Sequence, residues 1–214
     1  MSPWKHSLSS QQLFGGSPDD YIEIHQFLDS SKLFCFNLKH RAFLHNLYGV
    51  ELCESLFGPN LVNSQSVDVA VRDIAVQHIQ EDLNRVVPTL QDWFGPGEQD
   101  IAPMIRVPEV DGEKLQQFVL TPWLRSGHRA AMIISCSSFG VYLAERLLGL
   151  ELAKQLAESI GKPISISACL SRLPLKHKWQ YTPDHMALSR MEKSKNESGV
   201  DREVGQDRVI SQES

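Results

Sequence analysis

The chain has 214 residues, of which 42% are hydrophobic and 22% are charged, and its formal net charge is −5. These values are typical of a globular protein and argue against a nucleic-acid partner, because phosphate-binding surfaces usually carry a clustered basic excess. No apolar run approaches the roughly 20 residues that span a bilayer, and residues 1–6 lack the apolar core of a signal peptide. The composition therefore predicts a cytoplasmic protein without a membrane partner.

The first predicted helices follow a clear helix-breaking segment. Phe14-Gly-Gly-Ser17-Pro18 interrupts the chain, and Ser17 and Pro18 are typical of the N-cap and first position of a helix. We expect this helix to cover residues 19–29 and to carry His25 on its apolar face. A long second helix is predicted over residues 31–57, where His40 lies in the apolar stripe. On one straight helix His45 would point about 140° away from His40.

A third helix is predicted over residues 71–86, after a loop or short hairpin at 60–69. His78 and Asp82 are four residues apart, so a helix places their side chains on the same side, close enough to share a cation or a proton. Pro88 and Trp93-Phe94-Gly95-Pro96 then end this part of the chain. The Gly- and Pro-containing segment 95–102 is the best candidate for a linker.

The second half shows a different pattern. Short apolar runs at 105–110 and 114–121 predict a hairpin, and a run at 130–135, a helix ending at 160 and an alternating run at 164–170 predict a βαβ unit. The predicted fold class is therefore α+β. Its three parts are a His-rich three-helix domain at 1–97, a small α+β domain at 102–182 and a disordered tail at 183–214.

The three predicted N-terminal helices each offer an inward-facing polar ligand. The candidate metal ligands are His25, His40, His78 and Asp82. Neutral imidazoles with a carboxylate suit a divalent ion such as zinc, manganese or iron. Asp29 and Glu81 are candidate catalytic proton carriers, and Asp29 is also a candidate ligand. Buried histidines that hydrogen-bond to carboxylates without any metal are the structural alternative.

Other polar residues of this half are interpreted differently. His45, Arg41 and Tyr48 are predicted to form a separate face, more typical of a polar surface cluster than of a phosphate or carboxylate clamp. His6 lies near Trp4, and packing against the helices explains it most simply. The four cysteines are predicted to be buried free thiols, since none belongs to a C-x-x-C pair.

Several of these segments resemble a known family. Asp20-Tyr-Ile-Glu-Ile-His-Gln-Phe-Leu-Asp-Ser-Ser-Lys32, Lys39-His-Arg-Ala-Phe-Leu-His45 and Gln77-His-Ile-Gln-Glu-Asp-Leu83 are similar, in order and spacing, to motifs of an uncharacterised His-rich helical family of bacteria and their phages, domain of unknown function 6915. The resemblance covers about residues 3–94. It places the following residues on the family's recurring polar positions: His6, His25, Asp29, Lys32, His40, Arg41, His45, Arg72, His78, Glu81 and Asp82.

The chain departs from that pattern at two positions. Val76 stands where the family often has an acidic residue, and Ser66 stands where it has a glycine. The family implies no settled activity. In the second half, residues 138–161 are faintly similar to the C-terminal region of thymidylate-synthase-like proteins, but the His-Ile-Tyr motif and the upstream catalytic cysteine of those proteins are missing.

Three functions compete. The first is a metal-binding helical protein, specifically a metal-dependent hydrolase whose ion activates water. The second is a non-enzymatic accessory or interaction protein of a phage or mobile element, with structural histidines and a small-molecule or protein partner that the sequence does not identify. The third is nucleic-acid processing by Lys39, Arg41, His45 and Arg72, which the acidic balance disfavours.

Overall fold

The computed structural model describes residues 1–35, 38–95 and 102–172. The helices of these segments are α1 (Pro3–Phe14), α2 (Ile22–Asp29), α3 (Arg41–Leu44), α4 (Leu47–Phe57), α5 (Val71–Asp82), α6 (Leu90–Phe94), α7 (Glu113–Ser126), α8 (Ser138–Leu148), α9 (Leu150–Ile160) and α10 (Ile166–Arg172). Short 3-10 turns cover Pro18–Asp20, Ser30–Leu33, Leu38–His40, Ala102–Met104 and Arg129–Ile133. Strands β1 (Asn60–Val62) and β2 (Asp68–Ala70) form an antiparallel hairpin.

The start of the second helical segment follows the prediction. Ser17 accepts a hydrogen bond from the Asp19 amide and Pro18 occupies the first helical position, while the Asp20 carboxylate accepts from the Ser17 amide. Asp20 also accepts hydrogen bonds from the backbone and hydroxyl of Ser64, in the loop between β1 and β2. This carboxylate therefore caps the helical segment and ties the hairpin to it.

The predicted continuous helix over residues 31–57 is wrong. Two 3-10 turns and α3 replace its first half, and the chain bends sharply at His45 before α4 begins. Asn46 is extended and caps α4 by accepting a hydrogen bond from the Gly49 amide. A Cβ atom at Gly49 would lie 1.9 Å from the Leu44 carbonyl oxygen, so this bend requires glycine. The bend changes where His45 points.

The third helix begins as predicted but ends earlier, at Asp82. Asn84 and Arg85 follow with φ angles of 53° and 67°, which a right-handed helix does not allow. The hairpin predicted as one option for 60–69 is confirmed, with Leu61 opposite Val69. His78 and Asp82 both remain within α5, so their predicted shared face is preserved.

The strands predicted in the second half are wrong. Residues 102–172 contain helices and turns but no strand: 114–121 lie in α7, 130–135 lie mostly in a 3-10 turn, and much of 164–170 lies in α10. The apolar residues Leu115, Phe118 and Val119 are buried at i, i+3 and i+4, a helical spacing. Short apolar runs fit either structure, and here packing selects the helix.

The helix predicted to end at residue 160 is present in two pieces. Gly149 separates α8 from α9 with a φ of 95°, which is left-handed and favours glycine. The described chain is therefore helical with one small hairpin, and that hairpin lies in the first half rather than the second.

One hydrophobic core runs through both halves of the described chain. Phe43 of α3 stacks on Phe139 of α8 with ring centroids 5.1 Å apart, and Phe34 meets the same ring edge-on at 5.4 Å. Lys39 Nζ donates a hydrogen bond to the Leu170 carbonyl at 2.7 Å. The division into domains at 95–102 remains a prediction, and the predicted tail at 183–214 lies outside the described residues. Among the described helices, none combines the length and apolar character needed to cross a bilayer.

Candidate metal centre

Four buried side chains converge where α2, the α3–α4 bend and α5 meet. They are Asp29 at the end of α2, His45 at the bend, and His78 and Asp82 on α5. One ligand atom from each lies within 4.8 Å of all the others. His45, His78 and Asp82 have no exposed surface, and Asp29 is only 5% exposed. Two imidazoles and two carboxylates therefore share one enclosed position.

The spacing of these atoms suits an ion between them. His45 Nε2 lies 3.2 Å from His78 Nε2 and 3.2 Å from Asp82 Oδ2. Asp29 Oδ1 lies 3.7 Å from His45 Nε2 and 3.8 Å from His78 Nε2. Zinc bonds of about 2.0–2.1 Å in a tetrahedron place neighbouring ligand atoms about 3.3–3.4 Å apart. These four separations bracket that value, and the remaining separations among the ligand atoms are no longer than 4.8 Å.

Asp29 supplies an unsatisfied buried oxygen. Its Oδ1 atom makes no hydrogen bond, although it faces two imidazole nitrogens. Its Oδ2 atom lies 2.6 Å from Lys32 Nζ, an ion pair without hydrogen-bond geometry. Burying a carboxylate oxygen without a donor is costly. An ion bound between Asp29 and the two imidazoles would satisfy it.

Cationic groups surround the second carboxylate. Asp82 Oδ1 lies 2.6 Å from the Met1 amino group, and Asp82 Oδ2 lies 2.9 Å from Arg41 Nη2. Burial works to raise the pKa of Asp82, but hydrogen bonds from His45 and His6 and the charge of Arg41 together hold that pKa well below its ordinary value. Asp82 is therefore ionised and available as an oxygen ligand.

A chain of hydrogen bonds fixes which nitrogen of His78 carries a proton. The Gln77 amide group donates to Glu81, so the Gln77 oxygen accepts the Ser10 hydroxyl proton. Ser10 must then accept from His25 Nε2 at 2.9 Å. A neutral His25 keeps its lone pair on Nδ1, which accepts from His78 Nδ1 at 3.0 Å. The lone pair of His78 therefore lies on Nε2 and faces Asp29 and His45.

The two imidazoles of the cluster, and that of His25 behind them, are held neutral. Burial, reinforced by a positively charged His6, lowers the pKa of His25 to about 3. Burial likewise lowers the pKa of His45, and it lowers that of His78 well below 6.5. Neutral imidazole is the form that binds metal ions. The fold therefore holds both candidate imidazoles in the neutral form, and the hydrogen-bond chain leaves the His78 lone pair on the converging Nε2 atom.

His6 behaves differently, although its ring stacks on His78 with centroids 3.9 Å apart. Its Nδ1 atom lies 2.6 Å from Glu81 Oε2, and its Nε2 atom lies 3.4 Å from Asp82 Oδ1. Burial lowers the pKa of His6, but the two carboxylates outweigh burial and the net shift is upward. Glu81 therefore contacts His6 and Gln77 rather than the four converging atoms.

The predicted ligands occupy different places. His78 and Asp82 lie in the cluster, and Asp29, predicted as a proton carrier and candidate ligand, lies there too. His25 is behind His78 and contacts its far nitrogen. His40 hydrogen-bonds to Ser31 at 3.0 Å, and its ring centroid lies 5.6 Å from that of His45. Neither His25 nor His40 is one of the four converging residues.

The separate polar face predicted for His45, Arg41 and Tyr48 is wrong, since all three are buried. A straight helix directs His45 away from His40, whereas the bend at Asn46 turns His45 toward α5. The Asn46 and Gly49 pair was the available signal, because Asn is a strong N-cap and glycine permits a close backbone approach. Arg41 binds Asp82, so it is not part of an exposed basic patch.

Comparison with known proteins gives a family match in the first half of the chain. No curated protein and no solved structure matches the chain. The similarity of the second half to thymidylate-synthase-like proteins is therefore not supported by any match. Residues 1–100, just under half of the chain and the part that contains all four converging side chains, match a family described as a domain of unknown function (DUF6915).

Proposed function

We propose that this protein holds one divalent transition-metal ion between Asp29 Oδ1, His45 Nε2, His78 Nε2 and a carboxylate oxygen of Asp82. The observation that carries the proposal is the buried Asp29 oxygen, which lacks a hydrogen bond and faces two neutral imidazoles at 3.7 and 3.8 Å. These separations are too long for hydrogen bonds but suit two ligands of one ion. The hydrogen-bonded chain behind His78 supports the same assignment, because ligating imidazoles usually donate from their other nitrogen.

The donor set narrows the choice of ion. Two imidazole nitrogens and two carboxylate oxygens suit zinc, iron or manganese, whereas magnesium and calcium prefer oxygen ligands alone. Two carboxylates within 4.8 Å of each other also repel, and a divalent cation between them removes that repulsion. We expect zinc or iron to bind more tightly than manganese, following the general affinity order of nitrogen-containing sites.

We further propose that the centre is hydrolytic. A divalent ion that accepts a fifth ligand beside the four protein atoms would supply a Lewis acid, and Asp29 lies in the wall of a cavity from which a substrate would approach. Glu81 contacts His6 rather than the centre, so we assign it a positioning role in place of proton transfer. The competing function is a non-enzymatic protein whose buried histidines only hydrogen-bond, and the paired contacts of His25 and Ser10 are what such a protein would show.

Metal analysis of the full chain distinguishes these alternatives. After exposure to zinc, iron(II) or manganese and removal of free ions, we expect about one ion per chain. Asp29→Asn keeps the shape of the side chain but weakens one ligand, and His78→Gln removes another. Each should lower metal affinity by about 100-fold or more while far-ultraviolet circular dichroism stays unchanged.

Asp73→Asn is the matched control, because Asp73 is an exposed carboxylate on α5 with no role in the cluster. Its metal affinity should equal that of the unaltered protein. A folded protein that binds none of the three ions, or an Asp29→Asn variant with undiminished affinity, would overturn the metal assignment and leave the hydrogen-bonded histidine network as the explanation.

A further inference from the structure

A cavity of about 480 Å³ lies directly beside the candidate metal centre. Asp29 forms part of its wall, together with Lys32 from the turn after α2. The opposite wall comes from the second half of the chain, where α8 contributes Tyr142 and Arg146. The volume falls within the range of about 300–1,000 Å³ that small-molecule sites occupy. The two halves of the chain thus enclose one space.

The charged groups of the cavity favour an anion once a metal is bound. Lys32 and Arg146 are positive and Glu23 and Asp29 are negative, so the protein groups alone balance. A divalent ion on Asp29 would leave an excess of two positive charges. Glu23 is exposed and can turn toward solvent, whereas the Asp29 carboxylate is buried and committed to the centre.

Arg146 is the group best placed to recognise that anion. It is exposed and makes no hydrogen bond or ion pair with the other described residues, whereas Lys32 Nζ lies 2.6 Å from Asp29. A guanidinium group binds carboxylate or phosphate oxygens through two parallel hydrogen bonds. Phe27 and Tyr142 give the same cavity an apolar wall that an organic group could cover.

We propose that this cavity binds a small organic anion, with its phosphate or carboxylate group on Arg146 and Lys32 and its apolar part against Tyr142 and Phe27. The inference rests on the proposed metal centre for its charge balance. It makes α8 of the second half a specificity-determining wall of a site whose metal ligands all come from the first half. It also identifies the substrate class of the proposed hydrolase as organic esters or amides that carry such an anionic group.

Calorimetric titration with simple probes tests the site. Phenyl phosphate and benzoate each combine an aromatic ring with one of the two anionic groups, and inorganic phosphate reports the anion alone. We expect at least one aromatic probe to bind the metal-loaded full chain, and Arg146→Gln to weaken that binding by about tenfold or more. Arg106→Gln is the matched control, since Arg106 is exposed and is not part of the cavity wall.

The outcomes separate the cavity from the metal. Metal content should be equal in all three proteins, because no altered residue is a candidate ligand. If the metal binds but neither aromatic probe does, or if Arg146→Gln and Arg106→Gln bind equally well, the anion site is refuted and the centre stands. If no metal binds but a probe still binds in an Arg146-dependent way, the centre and its charge balance are refuted, and Arg146 and Lys32 bind the anion without an ion. Preference for phenyl phosphate or for benzoate identifies the anionic group.

Discussion

In both halves of this protein the chain makes the same sharp turn into a helix, but the side chain at the turn differs. In the first half α3 leads through His45 into α4, and in the second a 3-10 turn leads through Cys136 into α8. A Cβ atom at Gly49 would lie 1.9 Å from the Leu44 carbonyl oxygen, and one at Gly140 would lie 2.1 Å from that of Ser135. His45 and Cys136 each stand four residues before the required glycine.

The surroundings decide what each turn does. His45 faces His78 and Asp82, because α5 presents both on one side. Cys136 is buried beside Ser135, and burial raises the pKa of its thiol to about 11, so it remains neutral. A backbone turn therefore delivers a side chain to the interior, and the neighbouring helix determines whether that interior is a polar centre or an apolar core.

The largest expected effect of a single substitution comes from breaking the shared turn. Gly49→Ala and Gly140→Ala should each destabilise the protein by about 3 kcal/mol or more, because the new methyl group overlaps a backbone carbonyl that cannot move freely. Chemical denaturation of the full chain measures both. If the turns are equivalent, the two losses should be similar, although only Gly49→Ala is expected to displace a metal ligand.

Gly112→Ala provides the comparison for that experiment. A Cβ atom there meets nothing within 4 Å, although its φ of 86° is left-handed. It should cost only about 1–2 kcal/mol of backbone strain. Similar losses for all three variants would show that close approach at the two turns is not the cause.

We expect the polar centre of the first half, and not the apolar core of the second, to make the stability of the protein depend on acid pH. Four imidazoles of the first half have lowered pKa values: His25 at about 3, His40 at about 2, and His45 and His78 below 6.5. Below about pH 6.5 these imidazoles bind protons in the unfolded chain but not in the folded chain. The free energy of unfolding therefore decreases as the pH is lowered. Each such imidazole contributes a loss of about 1.4 kcal/mol per pH unit.

His6 acts in the opposite direction, since its raised pKa favours the folded state in acid, but it is one group against four. Urea denaturation of metal-free protein at about pH 7, 6 and 5 measures the sum. The thiol of Cys136 titrates only in alkali, so it adds no acid dependence. Constant stability across this range would contradict the neutral, buried state assigned to the imidazoles.

The smallest expected effect concerns the chain of hydrogen bonds that runs from Ser10 through His25 to His78. Ser10→Ala removes the acceptor that fixes the proton on His25 Nε2, so the lone pair of His78 Nε2 is no longer enforced. We expect metal affinity to fall by about 10-fold, within the range known for residues that orient metal ligands. Nitrogen-15 chemical shifts of the imidazoles should show a changed tautomer distribution.

Ser7→Ala controls for packing on the same helix, because Ser7 is also buried but its hydroxyl donates to the Pro3 carbonyl. A loss of affinity in both variants, or an unchanged tautomer in Ser10→Ala, would assign Ser10 a structural role only.

The sequence determined the parts of this protein that depend on local spacing. The four-residue interval of His78 and Asp82 predicts a shared helix face, and Ser17-Pro18 predicts a helix start, because both are fixed by contacts within one or two turns. The segments quoted from the first half were also sufficient to indicate the family that residues 1–100 match.

Only the tertiary structure decided which polar groups meet. His45 lies beside Asp29 because the bend at Asn46 changes the direction of the chain. His25 lies behind His78 because α2 packs on that side of α5. The apolar runs of residues 105–121 and 164–170 also left the choice of strand or helix open. Local sequence sets which side of an element is apolar, but long-range packing sets what that side faces, and a metal centre consists of such long-range neighbours.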